Sequence, residues 1–313
     1  MTATDATTPQ ISLTLRSFAD DPVGWEPMIE LARIADRVGL DRLALSDHVV
    51  FGEELDAYGD PAKGGTAGGR QPTGPDGHWL DPLTTIAHLT AITTRVRFCT
   101  NILLAALRRP VVLAKTVSTI DVLSASRLDL GVGVGWQRAE YDAAGLDFSR
   151  RGALLDETLE ILTTLWTTDR ATHHGATLSF DGIHQYPKPA GGGAPIWVSG
   201  TVQPRSMARL ARFGSVWIPW GADAADLAES IPRMREAVAA HDRDPAGIGV
   251  VANVAAARAD DGTIDLDATL DGVPALHEAG ATDFRMLVPV PADPAEAEDL
   301  LGDMVTRFRA RTR

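Results

Sequence analysis

The chain has 313 residues, a formal net charge of −13 at pH 7 and a single cysteine, Cys99. It has no apolar run near the roughly 20 residues that cross a bilayer. Its acidic balance is the opposite of what a nucleic-acid backbone binds, and one cysteine excludes an intrachain disulfide. We therefore expect a cytoplasmic protein that has a large core and binds neither nucleic acid nor a membrane.

Short apolar strands alternate with amphipathic helices along the whole chain. The pattern predicts strands at 11–15, 43–45, 96–103, from 128 onward, and at 194–198, 215–218, 248–254 and 284–288. It predicts helices at 25–38, 82–93, 110–123, 153–166, 204–212, 224–241 and 295–308. Because this alternation continues without a second composition regime, we expect an α/β protein in which residues 1–313 form one (β/α)8 TIM barrel with insertion loops.

Two segments interrupt the alternation. Residues of about 53–77 are rich in glycine and proline and show no periodicity, which is typical of a long functional loop. Residues of about 167–190 form a second insertion, predicted to be a hairpin that turns at Gly175. We expect His173 and His174, in this hairpin, to face solvent.

Glycine occupies every second position of the fourth strand. Side chains alternate between the faces of a strand, so Gly131, Gly133 and Gly135 lie on one face. The pattern favours close approach of a flat ligand to this face, and the alternative is tight packing against another part of the barrel. A dinucleotide fingerprint is excluded because Trp136 and Arg138 stand where its third glycine belongs.

Residues 131–166 resemble the luciferase-like monooxygenase superfamily. The resemblance lies in the order G-V-G-V-G-W, E-Y, G-L-D-F and R-R-G, followed by a helix that ends in L-W. That superfamily contains FMN enzymes and coenzyme F420-dependent oxidoreductases. The resemblance extends over most of the chain and is weakest after Arg243. Its sugar-phosphate dehydrogenases carry G-T-G-E where this chain has Trp136, so that activity is not expected here. We expect Trp136 instead to wall the pocket beside the cofactor ring.

Asp47 and His48 directly follow the second strand, at the end of the barrel where such folds place their sites. A histidine there is either a structural residue at the rim or a group that moves a proton in hydride chemistry. The Asp-His pair resembles the one that deazaflavin-dependent members carry at this place. The resemblance implies that His48 is catalytic and that Asp47 and His48 both contact the cofactor.

Three further segments complete the predicted cofactor site. The resemblance implies a non-proline cis peptide at Asn101-Ile102, in a bulge behind the cofactor ring. Val134, Gly135 and Trp136 end the glycine strand beside the same ring. Ser199, Gly200 and Thr201 join a strand to a helix, a junction at which backbone N–H groups and the nearby Arg205 suit a cofactor phosphate. Arg138 and Arg205 are expected near an anionic cofactor tail. Trp217, in the sixth strand, is also expected at the mouth of the barrel.

These residues predict an oxidoreductase that passes a hydride between coenzyme F420 and a small organic substrate. An FMN-dependent monooxygenase of the same fold is the first alternative, and a non-catalytic flavin-binding barrel is the second. No motif for a metal site, a nucleophilic serine or a nucleotide phosphate loop is present.

We also expect a homodimer, because the superfamily commonly pairs through the helices after the second and third strands. The residues offered for this contact are Leu83, Ile86, Leu89 and the run 111–113.

Overall fold

Eight parallel strands close into a barrel in the computed structural model, which describes residues 8–21, 24–63 and 65–312. In chain order they are β1 (Gln10–Thr14), β2 (Arg42–Leu45), β3 (Arg97–Thr100), β4 (Leu128–Val132), β5 (Ile196–Gly200), β6 (Val216–Pro219), β7 (Gly249–Ala255) and β8 (Asp283–Leu287). Each strand pairs with the next one along the chain, and β8 closes onto β1 with Phe284 opposite Ile11. The predicted TIM barrel is confirmed.

The helices pack outside the barrel. They are α1 (Glu26–Val38), α2 (Pro82–Thr90), α3 (Pro110–Leu123), α4 (Arg138–Ala143), α5 (Arg151–Thr167), α6 (Pro204–Phe213), α7 (Ala222–Ala225), α8 (Leu227–Ala239), α9 (Leu266–Leu270), α10 (Val273–Ala279) and α11 (Pro294–Arg311). In the ranges that the structure describes, none of them combines the length and the apolar composition needed to cross a membrane.

Local sequence signals set where several helices begin. Asp81 and Asp293 accept hydrogen bonds from backbone N–H groups of the first turns of α2 and α11, and a proline follows each of them. The predicted helix 224–241 is in fact divided into α7 and α8, because Asp226 leaves helical geometry and caps α8. The predicted helix was too long because Asp226 was not identified from the sequence as the N-cap of a second helix.

Both predicted insertions are present. Ala171–His174 and Ser179–Ile183 pair as an antiparallel hairpin. His173 is buried, and its Nε2 lies 3.6 Å from Glu157 Oε1, whereas His174 is exposed. The prediction that both histidines face solvent is wrong for His173, because the hairpin folds back onto α5.

The lower interior of the barrel is ionic. Arg42 is buried between Asp129 and Asp283, and Arg97 also pairs with Asp129. Burial alone would raise the pKa of Asp129, but the two arginines lower it. Burial raises the pKa of the neighbouring Cys99 thiol to about 12, so this cysteine is an inert core residue. The ionic layer closes the barrel below the mouth.

The glycines in and directly after β4 fit against the end of β3 and the segment that follows it. A Cβ added to Gly131 would lie 1.9 Å from the Thr100 carbonyl oxygen. A Cβ added to Gly133 would lie 2.5 Å from the Ile102 side chain, and one added to Gly135 would lie 2.7 Å from the Leu104 side chain. Tight packing therefore accounts for Gly131, whereas Gly133 and Gly135 also line the cavity described below, so close approach of a flat ligand to this face stays a prediction.

Candidate active site

A cavity of about 310 Å³ lies at the carboxyl ends of the barrel strands. Every residue predicted to bind the cofactor except Thr201 lines it: Asp47, His48, Asn101, Ile102, Val134, Gly135, Trp136, Ser199 and Gly200. Its size and its mixture of aromatic walls with a few polar groups are typical of a small-molecule site. The topology thus brings together residues from four different strand ends.

His48 lies among aromatic rings at this mouth. Its ring centroid is 4.3 Å from that of Phe51 and 4.8 Å from that of Trp79. Its Nδ1 lies 3.3 Å from Oε2 of Glu140, whose side chain is fully buried. The other oxygen of Glu140 accepts a hydrogen bond from Val49 N at 2.9 Å. A buried carboxylate therefore faces one ring nitrogen of His48.

This arrangement determines which nitrogen faces the ligand. The 3.3 Å approach lacks hydrogen-bond geometry, and neither Nδ1 nor Oε2 has another partner in the described chain. With the carboxylate on the Nδ1 side, Nε2 is the nitrogen on the opposite side of the ring that can accept or deliver a proton. Nε2 has no hydrogen-bond partner among the residues that the structure describes. Sequence reasoning quoted Glu140 only as part of the E-Y motif, because no pattern in the chain shows that the first turn of α4 packs beside the end of β2.

Asp47 forms an ion pair with Arg108. Arg108 binds both carboxylate oxygens, at 2.6 Å and 3.0 Å, and Leu104 N donates to Oδ2 at 2.8 Å. The carboxylate is buried and holds the segment after β3 in place. A direct contact between Asp47 and the cofactor stays a prediction, and the observed contacts assign Asp47 a positioning role.

The peptide bond between Asn101 and Ile102 is cis, which confirms the expectation. The turn after β5 differs from the predicted phosphate cradle. Val202 N donates a hydrogen bond to Oδ2 of the buried Asp223 at 2.6 Å, so this backbone N–H group already has an acceptor. Thr201 lies outside the cavity lining. Asp223 also pairs with Arg233 at 3.2 Å, and the cofactor contacts of Ser199, Gly200 and Thr201 stay a prediction.

The end of β6 also differs from expectation. Trp217, predicted at the mouth, is fully buried on the outer side of the barrel, where its Nε1 donates to Gly200 O at 2.8 Å. Ile218 and Trp220 line the cavity instead. The inward register of this strand is one residue away from the predicted one, so Trp217 is a core residue.

The glycine-rich loop covers the mouth. Tyr58 of this loop lies 5.4 Å from Trp136 and 6.1 Å from Trp220, measured between ring centroids. Trp220 Nε1 also donates to Gly65 O at 3.2 Å. Antiparallel pairing of Phe18 with Trp79 holds the far end of the loop against the segment after β1. The loop thus supplies one wall of the site.

A second, outer cavity of about 700 Å³ lies on the other side of Trp136. It contains three cations and three carboxylates: Lys63, Arg138, Arg151, Glu53, Glu54 and Asp142. Arg138 and Arg151 both stack on the ring of Phe148, at 4.9 Å and 4.0 Å. Arg205, the other arginine expected near a cofactor tail, contacts Gly152 and does not line this cavity.

Several buried polar atoms near the inner cavity lack a partner within the described chain. They include Trp136 Nε1, Gln71 Oε1 and the Nε and Nη2 atoms of Arg285. All three side chains line the cavity. Unpaired buried donors and acceptors are costly, so their concentration here suits a flat ligand with polar edges.

Comparison with known proteins agrees with this geometry. A family model described as luciferase-like monooxygenase matches residues 7–263. An uncharacterised protein of Mycobacterium tuberculosis is 32% identical over 165 residues, which are 53% of this chain and 58% of that protein. The first curated relatives are therefore matched over little more than half of their length.

Two solved structures share the fold over nearly the whole chain. An F420-dependent secondary alcohol dehydrogenase in complex with an F420-acetone adduct has a TM-score of 0.74 and 16% identity, with 96% of this chain and 99% of that chain covered. A riboflavin lyase with modified FMN and riboflavin has a TM-score of 0.76 and 17% identity, with 97% and 92% covered.

Proposed function

Since the chain belongs to the luciferase-like monooxygenase family, we propose that it is an oxidoreductase that binds coenzyme F420 in the barrel mouth. Bound F420 supplies a carbon-centred hydride donor or acceptor. The substrate is a small organic molecule that gains or loses this hydride and a proton. The observation that carries the proposal is the pair formed by His48 and Glu140 in the mouth.

His48 is placed to move that proton. Glu140 faces Nδ1 across 3.3 Å, while the aromatic neighbours exclude water from the sides of the ring. Nε2 then donates a proton to a carbonyl oxygen during reduction, or accepts one from a hydroxyl during oxidation. A barrel that only stores a flavin needs no such group, so the pair supports an enzyme over the non-catalytic alternative.

The residues around the cavity fit a flat tricyclic group. Asn101, Ile102, Val134 and Trp136 would hold the ring on the side of β3 and β4. The outer cavity beyond Trp136, with Arg138 and Arg151, supports a place for the phosphate and the acidic tail. FMN shares the ring and a phosphate but lacks that tail, so the same mouth accepts it, and an FMN-dependent monooxygenase is the second candidate.

Turnover separates the candidates. Reduced F420 is mixed with the protein and a panel of carbonyl and enone compounds without oxygen, and reappearance of oxidised F420 is followed by absorbance. We expect His48→Ala to lower the rate by about 10²–10⁴-fold while changing F420 affinity by less than about tenfold. The exposed His241→Ala is the matched control. Oxygen consumption with reduced FMN, and no response to F420, would favour the monooxygenase.

A further inference from the structure

Arg285 of β8 is a buried cation without a full partner. Only 2% of the residue is exposed, yet its side chain lines the inner cavity. Its Nε and Nη2 atoms have no hydrogen-bond partner within residues 8–21, 24–63 and 65–312. Asp283 Oδ1 lies 4.0 Å from Nη2, which is beyond hydrogen-bond distance.

The carboxylates below Arg285 are already engaged. Asp283 accepts a hydrogen bond from Ser12 Oγ at 2.5 Å and pairs with Arg42. Asp129 pairs with Arg42 and Arg97. Arg285 is thus left without a carboxylate at hydrogen-bond distance at the top of the ionic layer, because Asp129 and Asp283 are engaged by Arg42 and Arg97. A buried charge of this kind is costly unless a ligand neutralises it.

Asn253 provides a second polar group at the same place. It lies on β7 directly opposite Arg285 in the parallel register, and its side chain lines the cavity. The residue is exposed, and its amide makes no hydrogen bond to the part of the chain that the structure describes. Arg285 and Asn253 both carry N–H donors at the cavity wall, and such donors suit the two oxygens of a carboxylate.

The position of this pair relates it to the substrate. The residues predicted to bind the cofactor lie on β2 to β5, and β8 stands four strands from β4 in the ring of eight. Arg285 and Asn253 therefore face the predicted ring from the opposite half of the mouth. The guanidinium of Arg285 carries one positive charge and the amide of Asn253 is neutral, so together they balance one negative charge. They would leave one of the two negative charges of a phosphate dianion unbalanced.

We propose that the substrate of this enzyme carries a carboxylate, which binds to Arg285 and Asn253. The inference rests on the proposed function for the reaction itself, and on the Arg285 environment for the acidic group. The carboxylate anchors the substrate in the half of the mouth formed by β6, β7, β8 and β1, with its reacting carbon toward the ring.

Binding to the cofactor-free protein tests the site. Benzoate is the probe, because the cavity has aromatic walls, and benzamide is its neutral counterpart; tryptophan fluorescence reports binding. We expect wild type to prefer benzoate, and Arg285→Met to weaken benzoate binding by about tenfold to hundredfold without changing that of benzamide. Arg243→Met removes an exposed arginine and should leave both affinities unchanged. Equal binding of the two probes by wild type would overturn the proposal.

Thermal unfolding checks that the variant is folded and tests the unpaired charge. Without ligand, Arg285→Met should melt at or above the wild-type temperature, because a buried cation without a hydrogen-bonded partner has been removed. Benzoate should raise the melting temperature of the wild type only. If Arg285→Met does not fold, Arg285→Lys, which keeps the charge but loses the planar fork, should bind benzoate with intermediate affinity. Unchanged benzoate binding in either variant would overturn the proposal.

The affinities of F420 and FMN for Arg285→Met distinguish the possible sources of the negative oxygen. The proposal expects both affinities to stay within about threefold of wild type. A loss of cofactor affinity with unchanged benzoate binding would assign Arg285 to the cofactor ring and overturn the substrate carboxylate. Preference for FMN over F420, with benzoate still dependent on Arg285, would contradict the proposed cofactor and still support the carboxylate site.

Discussion

The orientation of His48 depends on a residue from a different element. Oε1 of Glu140 accepts from Val49 N, and Oε2 lies 3.3 Å from Nδ1 of His48. The same carboxylate therefore holds the backbone after β2 and faces the imidazole. We assign Glu140 a positioning role that acts through His48.

A double-mutant cycle tests this assignment. Glu140→Gln keeps an oxygen for Val49 N but removes the charge that faces His48, so we expect turnover to fall about tenfold or more. Because Glu140 acts through His48, the double variant Glu140→Gln/His48→Ala should be no slower than His48→Ala alone. Additive losses, or a double variant that fails to fold where both single variants fold, would show a structural role instead.

The site was predictable from sequence only where residues follow strands directly. His48, Asn101 and Trp136 stand at strand ends, and parallel topology brings such ends together. Glu140 and Arg285 were missed because their roles depend on how α4 and β8 pack in three dimensions. Trp217 was misplaced because a one-residue change of register moves a side chain to the other face of a strand.

The elements of the fold were more predictable than their contacts. Each buried apolar run is followed by a helix, and several helices begin with an aspartate and a proline, which local chemistry explains. The glycine strand shows the limit. Its spacing favoured a ligand-facing surface over tight packing, and only the structure shows that residues 100–104 pack against these glycines.

The effects of alanine substitution at Gly131 and Gly133 should follow the contacts of each glycine. Gly131→Ala places a Cβ 1.9 Å from a backbone oxygen, whereas at Gly133 the crowded atoms belong to the flexible side chain of Ile102. We expect Gly133→Ala to lower the free energy of unfolding by about 1–3 kcal/mol and Gly131→Ala to lower it more. Gly247, with no neighbour within 4 Å, is the control and should change it by less than about 0.5 kcal/mol. Urea unfolding measures all three, and the reverse order for Gly131 and Gly133 would contradict the packing account.

The predicted homodimer needs different residues from those first offered. Leu83, Ile86, Leu89 and Leu113 are buried within one chain, so they contribute no contact surface. The exposed apolar groups of α3 are Val112, Val122 and Leu123. Val112 and Leu123 lie three turns apart on one face of the helix, which keeps this face available for a two-fold contact.

Sedimentation tests the dimer. We expect a mass near twice that of the 33.3 kDa chain for the wild type at micromolar concentration. The variant Val112→Glu/Leu123→Glu should sediment as a single chain, because charges on an apolar two-fold contact face each other. Its circular dichroism spectrum should match that of the wild type. A wild type that sediments near 33.3 kDa would contradict the prediction.

The cofactor is the central claim, and competition between F420 and FMN for the purified protein tests it most directly. Fluorescence titration should give micromolar or tighter binding of F420 and weaker binding of FMN. F420 affinity should fall in part as salt is raised, because local cations such as Arg138 and Arg151 must hold its acidic tail against a net charge of −13. Tight binding of FMN, with NAD(P)H-driven oxygen consumption and no binding of F420, would contradict the account.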